Sequence, residues 1–214
     1  MDDFYERFGA GSLAVLLDDA GASRRGAPLL VVAAALVEPT AMAALVRHSS
    51  GFVQVALPAR RCAELVLPPL ADDVSAHARP TPAVAVDAAD GVTTGISAHD
   101  RAHTARLLAD PDTTPADLNR PGHVVPLRMP DPGAQLFGDA ASAQAAVRCC
   151  GLAGLPPAVV LAHVVLDSGG LASAADAISL ARQLSLPVTT TSAVGRWARR
   201  FGAESLPPAA GLAS

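Results

Sequence analysis

The sequence predicts an α/β fold of the α+β mixed-sheet type: one domain with a twisted mixed sheet covered by helices. Three observations predict it. Short apolar runs bounded by turn residues, at 13–17, 29–35 and 159–166, read as buried strands. Segments with helical apolar spacing alternate with the strands, and no long linker interrupts them. Half of the 214 residues are hydrophobic and 17% are charged, which is enough apolar material for a substantial core.

The elements follow in order. Strand 13–17 leads into a polar, glycine-punctuated loop at 18–28, and then into strand 29–35. Thr40, after Pro39, caps a helix over 41–48 that stops before Gly51. A strand over 52–57 and a short helix over 60–65 come next, closed by Pro68 and Pro69. Residues 74–82 form a loop and 83–88 alternate like a strand. Ser97 or Asp100 caps a helix over 100–109. A short helix over 115–120 precedes strand 124–128, and a small-residue helix spans 140–152. Strand 159–166, an amphipathic helix over 172–184, strand 188–191 and a helix over 192–201 complete the domain, 1–205. Residues 206–214 are expected to be a flexible tail.

Composition excludes several classes of function. The longest unbroken apolar run, 29–37, is nine residues, less than half of the roughly 20 that a membrane helix needs. The opening residues lack the basic-then-apolar order of a secretion signal, so a cytoplasmic protein is expected. Three cysteines (Cys62, Cys149, Cys150) form neither a CxxC pair nor an even framework, against a disulfide scaffold or a structural zinc site. All 16 basic residues are arginine, which rules out a Schiff-base lysine and a P-loop lysine. Aromatic content of 3% and scattered arginines argue against a nucleic-acid partner.

Two blocks are far from generic: Asp87-Ala88-Ala89-Asp90-Gly91-Val92-Thr93-Thr94-Gly95-Ile96-Ser97-Ala98-His99-Asp100-Arg101, and Asp117-Leu118-Asn119-Arg120-Pro121-Gly122-His123-Val124-Val125-Pro126-Leu127-Arg128. With the Asp18-Asp19 pair, Arg47-His48-Ser49-Ser50-Gly51 and Leu152-Ala153-Gly154-Leu155-Pro156-Pro157 in the same order, the chain resembles 3,4-dihydroxy-2-butanone 4-phosphate synthase, the riboflavin-pathway lyase. The resemblance implies that fold, a homodimer with pockets at the subunit interface, a small-molecule substrate and magnesium. It also implies a reaction: ribulose 5-phosphate is enolised, loses water, undergoes a carbon shift and releases formate.

The chain departs from the family pattern at four places. Where the family has an Arg-Glu-Asn-Glu-Gly-Asp loop after the acidic pair, residues 20–28 carry Arg24 and Arg25 but no carboxylate. Where it has Gly-His-Thr-Glu-Ala, counting back from Leu152 gives Ala141-Ser142-Ala143-Gln144-Ala145. These two stretches take away the implied metal glutamate, metal histidine and phosphate-gripping threonine. The implied catalytic glutamate falls at His163, and no glutamate occurs between positions 65 and 203.

These departures set the expectation: a repurposed, metal-independent enzyme of specialised metabolism, catalysing a cyclisation, dehydration or isomerisation. Neither a cofactor nor the family's magnesium is expected, and no residue is assigned as a metal ligand. The catalytic candidates are His163, His123 and Asp18, the histidines because imidazole titrates near neutrality. The substrate-binding candidates are Thr93 and Thr94 in a glycine-flanked turn, Ser142, Gln144, Arg24 and Arg25. Two other readings stay open: a non-catalytic binding protein or partner subunit, and the original synthase.

Overall fold

The computed structural model describes residues 2–19, 26–70, 79–130, 136 and 138–201. The expected tail at 206–214, and Arg24 and Arg25, lie outside the described residues.

Eight strands form one mixed sheet: β1 (Ala14–Leu17), β2 (Leu29–Ala33), β3 (Gln54–Pro58), β4 (Thr81–Pro82), β5 (Val86–Ala88), β6 (Leu118–Met129), β7 (Val159–His163) and β8 (Val188–Thr190). Their order is β4-β6-β3-β7-β2-β1-β8, with β5 paired to β6 off this path. Strands β3 and β6 run parallel, as do β1 and β8; β7 lies antiparallel to both β2 and β3.

Seven α-helices cover the sheet on both faces: α1 (Asp2–Gly9), α2 (Pro39–Arg47), α3 (Ala59–Glu64), α4 (Ala98–Ala109), α5 (Asp139–Leu152), α6 (Ala174–Gln183) and α7 (Thr191–Phe201). Because side chains alternate across a strand, each central strand feeds two cores. Leu30, Val32, Val55 and Val160 pack with Met42 and Leu45 of α2 and with Ala105 and Leu108 of α4. Leu29, Val31, Val159 and Leu161 pack with Phe8 of α1, Ala146 and Cys150 of α5, and Val194 of α7. Burial on both sides is the reason the strands read as continuous apolar runs. Cys149 and Cys150 are free, buried packing residues, and desolvation pushes the Cys150 thiol up to about 12. Among the described residues no helix is long and apolar enough to cross a membrane.

Four elements differ from expectation. Helix α1 was not anticipated; its aromatic residues at i, i+1 and i+4 are the signal, since Phe4, Tyr5 and Phe8 are all buried and Tyr5 packs on Trp197 at 4.4 Å. The expected helix over 115–120 is a single 3-10 turn, Pro115–Asp117, opened by a Thr114–Asp117 capping box and ended where β6 begins at Leu118. Gly122 is required on β6, because a Cβ there would lie 2.0 Å from the Val86 carbonyl carbon of β5. Helix α2 starts earlier than expected, with Glu38 at the N-cap and Pro39 as its first residue. Strand β7 ends at His163 rather than 166; beyond it only single bridges join Val164 to Ser49 and Val165 to Leu171.

The turn before α4 is tied by one carboxylate. Asp100, 2% exposed, accepts from the Thr93 hydroxyl (2.8 Å), the Thr93 N–H (3.2 Å) and the Gly95 N–H (3.1 Å). Its own N–H is capped by Ser97. The Thr93 hydroxyl foremost, with the two N–H groups, holds the Asp100 carboxyl down at about 2 against desolvation. A carboxyl depressed in the folded state contributes stability above its ordinary 3.8, and that contribution disappears as pH falls toward 2. Asp100→Asn should therefore lower the thermal midpoint at pH 7 and flatten the loss of stability between pH 3.8 and 2, measured by circular dichroism melts across pH. Leu30→Ala, in a fully buried central strand, should cost about 2–5 kcal/mol in urea unfolding.

Candidate active site

The polar residues gather where β7 and β2 reach the edge of the core. His163 closes β7 and pairs with Leu29, the first residue of β2. Its side chain lies on the face that carries Leu29 and Leu161, the face covered by α5. Helix α5 begins there with Asp139, after Gly138 at φ +56°. His163 Nε2 and Asp139 Oδ2 approach to 3.4 Å. That contact lacks the alignment of a hydrogen bond, so Nε2 is a buried nitrogen with no hydrogen-bond partner. The imidazole chiefly, and then the Ala27 N–H, hold the Asp139 carboxyl below its ordinary range against desolvation.

Two carboxylates grip the chain where it re-enters from the 18–28 loop. Asp18 Oδ2 accepts from the Gly26 N–H at 2.6 Å, and Asp139 Oδ1 accepts from the Ala27 N–H at 2.9 Å. A Cβ on Gly26 would stand 2.7 Å from Asp139 Oδ1, so only glycine fits between them. Asp18 is tied on its other side by the Thr191 hydroxyl (3.1 Å), while Asp19 accepts from the Ser192 N–H (2.8 Å) and hydroxyl. Burial alone would raise the Asp19 carboxyl, but the Ser192 and Thr191 donors bring it down to about 2.

A second imidazole–carboxylate pair lies at the same end of the sheet. Asp87 receives the His123 N–H on Oδ1 (2.9 Å) and faces His123 Nδ1 with Oδ2 at 2.7 Å. The turn carrying Gly95 closes over this pair: a Cβ on Gly95, at φ +85°, would sit 2.1 Å from Asp87 Oδ2 and 2.7 Å from His123 Nδ1. Gln54 of β3 is opposite both Val125 and Leu161. Two residues toward the same sheet end from Val125 and Leu161 stand His123 on β6 and His163 on β7, with β3 between those two strands.

The sequence-derived candidates therefore separate into groups. His163 and Asp18 share a neighbourhood through Asp139 and Gly26, and His123 stands two strands away with its own carboxylate. Ser142, one turn into α5, is fully buried and its hydroxyl has no partner. Thr93 spends its hydroxyl on Asp100, whereas Thr94 is exposed. Gln144 lines a cleft toward α7 instead of facing His163. Asp139 and Asp87 are functional candidates that sequence reasoning passed over. The available signals were Gly138-Asp139 at a helix start, and an acid six residues before the Thr93-Thr94 turn.

Among the described residues no three His, Cys, Asp or Glu side chains converge as a metal cage. The pair Asp139 and His163 nevertheless offers one carboxylate and one buried, unpartnered imidazole nitrogen side by side. That donor set fits a divalent ion of the magnesium type, which takes one or two protein carboxylates and completes its shell with water and substrate oxygens.

Residues 2–197 match the family model described as 3,4-dihydroxy-2-butanone 4-phosphate synthase. The Schizosaccharomyces pombe 3,4-dihydroxy-2-butanone 4-phosphate synthase is 43% identical over 86% of this chain and 89% of its own length. Riboflavin biosynthesis protein RibBA of Salinispora arenicola is 41% identical over 89% of this chain and 44% of that protein, so the chain spans less than half of that relative. A crystal structure of a 3,4-dihydroxy-2-butanone 4-phosphate synthase in complex with two magnesium ions superposes with a TM-score of 0.82 at 33% identity, covering 94% of this chain and 97% of the other. These findings overturn the expectation of a repurposed, metal-independent enzyme of specialised metabolism. That expectation weighed a few substituted positions above similarity along nearly the whole chain, and it assumed that a ligand lost at one position could not be supplied from another. The chain belongs to the 3,4-dihydroxy-2-butanone 4-phosphate synthase family.

Proposed function

We propose that this chain is a lyase that converts ribulose 5-phosphate to 3,4-dihydroxy-2-butanone 4-phosphate and formate. The observation that carries the reading is the gathering of two imidazole–carboxylate pairs, Asp139–His163 and Asp87–His123, at one end of the sheet. The family's reaction needs proton transfers at carbon and oxygen, and positioned imidazoles near neutral pH suit them.

In this reading Asp87 holds the proton of His123 on Nδ1, and so leaves Nε2 free to accept the proton from the carbon beside the substrate carbonyl. His123 is 40% exposed, so a substrate can reach it. His163 lies against Asp139, which orients its ring toward the reacting end of the sheet. Asp18 positions the loop end through Gly26. Thr94 offers a hydroxyl to the sugar, and Arg24 and Arg25 are the candidates for binding its phosphate. Asp139 and His163 are the residues that would hold a magnesium ion, whose chemistry there is to stabilise negative charge building on substrate oxygens.

The active form in this reading is a homodimer. Phe52, Ile96 and Leu171 are each more than half exposed near the same end of the sheet, and a second copy would cover them. Cytoplasmic residence fits a sugar-phosphate substrate and three free, buried cysteines.

Purified protein given ribulose 5-phosphate and Mg²⁺ should release one formate per product; no formate above the uncatalysed rate would refute the proposal. His123→Ala should lower kcat by about 10²–10⁴-fold with the fold retained by circular dichroism, and Asp139→Asn should lower kcat by a similar factor while also lowering the thermal midpoint, because it weakens the grip on the Ala27 N–H. Asp87→Asn should show a smaller loss carried by kcat rather than KM, with an altered pH profile.

A further inference from the structure

We propose that the cleft between α5 and α7 binds a small molecule bearing a phosphate ester, at a site separate from Asp139 and His163. The cleft encloses about 500 Å³, within the usual size of a small-ligand pocket. Its floor is small and apolar (Ala141, Ala145, Gly195), and its rim carries Arg148, Arg196 and Arg199. None of the described lining residues is acidic, although the chain as a whole has a net charge of −4.

The arginines are not consumed by the fold. Arg196 donates to the Ser192 hydroxyl at 3.0 Å, which leaves most of its guanidinium free. Arg148 and Arg199 have no ion-pair partner among the described residues. Glycine at position 195 leaves room for Arg199, whose Nη1 stands 3.6 Å from where a Cβ would be. Three guanidiniums over a gap with no carboxylate among its described lining residues suit a dianion that each can bind with paired N–H groups. The uncharged part of such a ligand would lie on the alanine and glycine floor, with Gln144 at the wall for its hydroxyls.

Helix geometry separates this site from the reacting one. Arg148 is nine residues beyond Asp139, which at about 3.6 residues per turn places it half a turn away, on the opposite side of α5. Ala141, Gln144 and Ala145 share the Arg148 side by the same count. The two sites communicate through Thr191, which lines the cleft and bonds Asp18. This inference stands on the cleft alone and does not require the lyase reading.

The test is isothermal titration with glycerol 3-phosphate, glycerol serving as the uncharged control. To silence the reaction site, the titration is repeated on His163→Ala, and on His163→Ala combined with Arg148→Gln and Arg199→Gln. Saturable binding of glycerol 3-phosphate but not glycerol is expected in wild type and in His163→Ala, weakened at least tenfold when both arginines are replaced. Arg148→Gln with Arg199→Gln in the otherwise native chain should keep its circular dichroism melt and its rate of formate release. The proposal fails if there is no saturable binding, if the arginine replacements leave binding unchanged, or if His163→Ala alone abolishes it. Formate release that falls together with binding would instead assign the arginines to the reacting substrate, and would equally overturn a separate site.

Discussion

Strand β7 is the constraint on which the rest of this structure depends. It runs between two antiparallel neighbours, β2 and β3, and is buried on both faces until its final residue. From Val159 to Leu161 its backbone is shared between both neighbours, and its side chains up to Ala162 are buried, apolar and compact. His163 is the first residue past that constraint. Antiparallel register then sets its neighbours: Leu29 opens β2 beside it, and the chain entering β2 through Gly26 and Ala27 is brought under the start of α5.

Carboxylates do most of the construction around that boundary. Asp18, Asp19, Asp100 and Asp139 each accept backbone N–H groups from a distant or turning segment. An ionised carboxylate accepts such bonds more strongly than a neutral group does. Hydrogen bonds to Asp19, Asp100 and Asp139 favour their charged forms, and the fold is kept in register by all four acids. The two imidazoles differ in their surroundings: His123 is fixed by a close carboxylate, whereas His163 keeps a buried nitrogen without a partner. An unpartnered buried nitrogen is costly, and in this place it is the feature most suited to receive a ligand.

Position counting misled the functional reading in a specific way. A glutamate replaced by His163, and a metal histidine replaced by Ser142, look like two losses when each column is judged alone. In three dimensions His163 meets Asp139, which lies one helical turn ahead of Ser142 and was left out of the count. A carboxylate and an imidazole thus lie side by side where α5 begins and β7 ends. Local sequence holds no record of that meeting, because α5 and β7 are brought together by packing across the sheet.

The sequence by itself determined the alternation of strands and helices, the small-residue character of α5, an N-cap for α4 at Ser97 or Asp100, and the family, because these rest on periodicity, capping chemistry and contiguous motifs that are local in the chain. It under-determined the aromatic helix α1, whose eight residues are held by packing Phe4, Tyr5 and Phe8 into the core, and the turn at 115–117, where β6 begins at Leu118 and cuts short what looked like a longer helix. Only the tertiary structure decided which acids meet which histidines, and that Gln144 faces a cleft of arginines rather than the reacting end. Those acid–histidine pairings join residues 24 and 36 positions apart, and only the burial of a common core brings such residues within reach of one another.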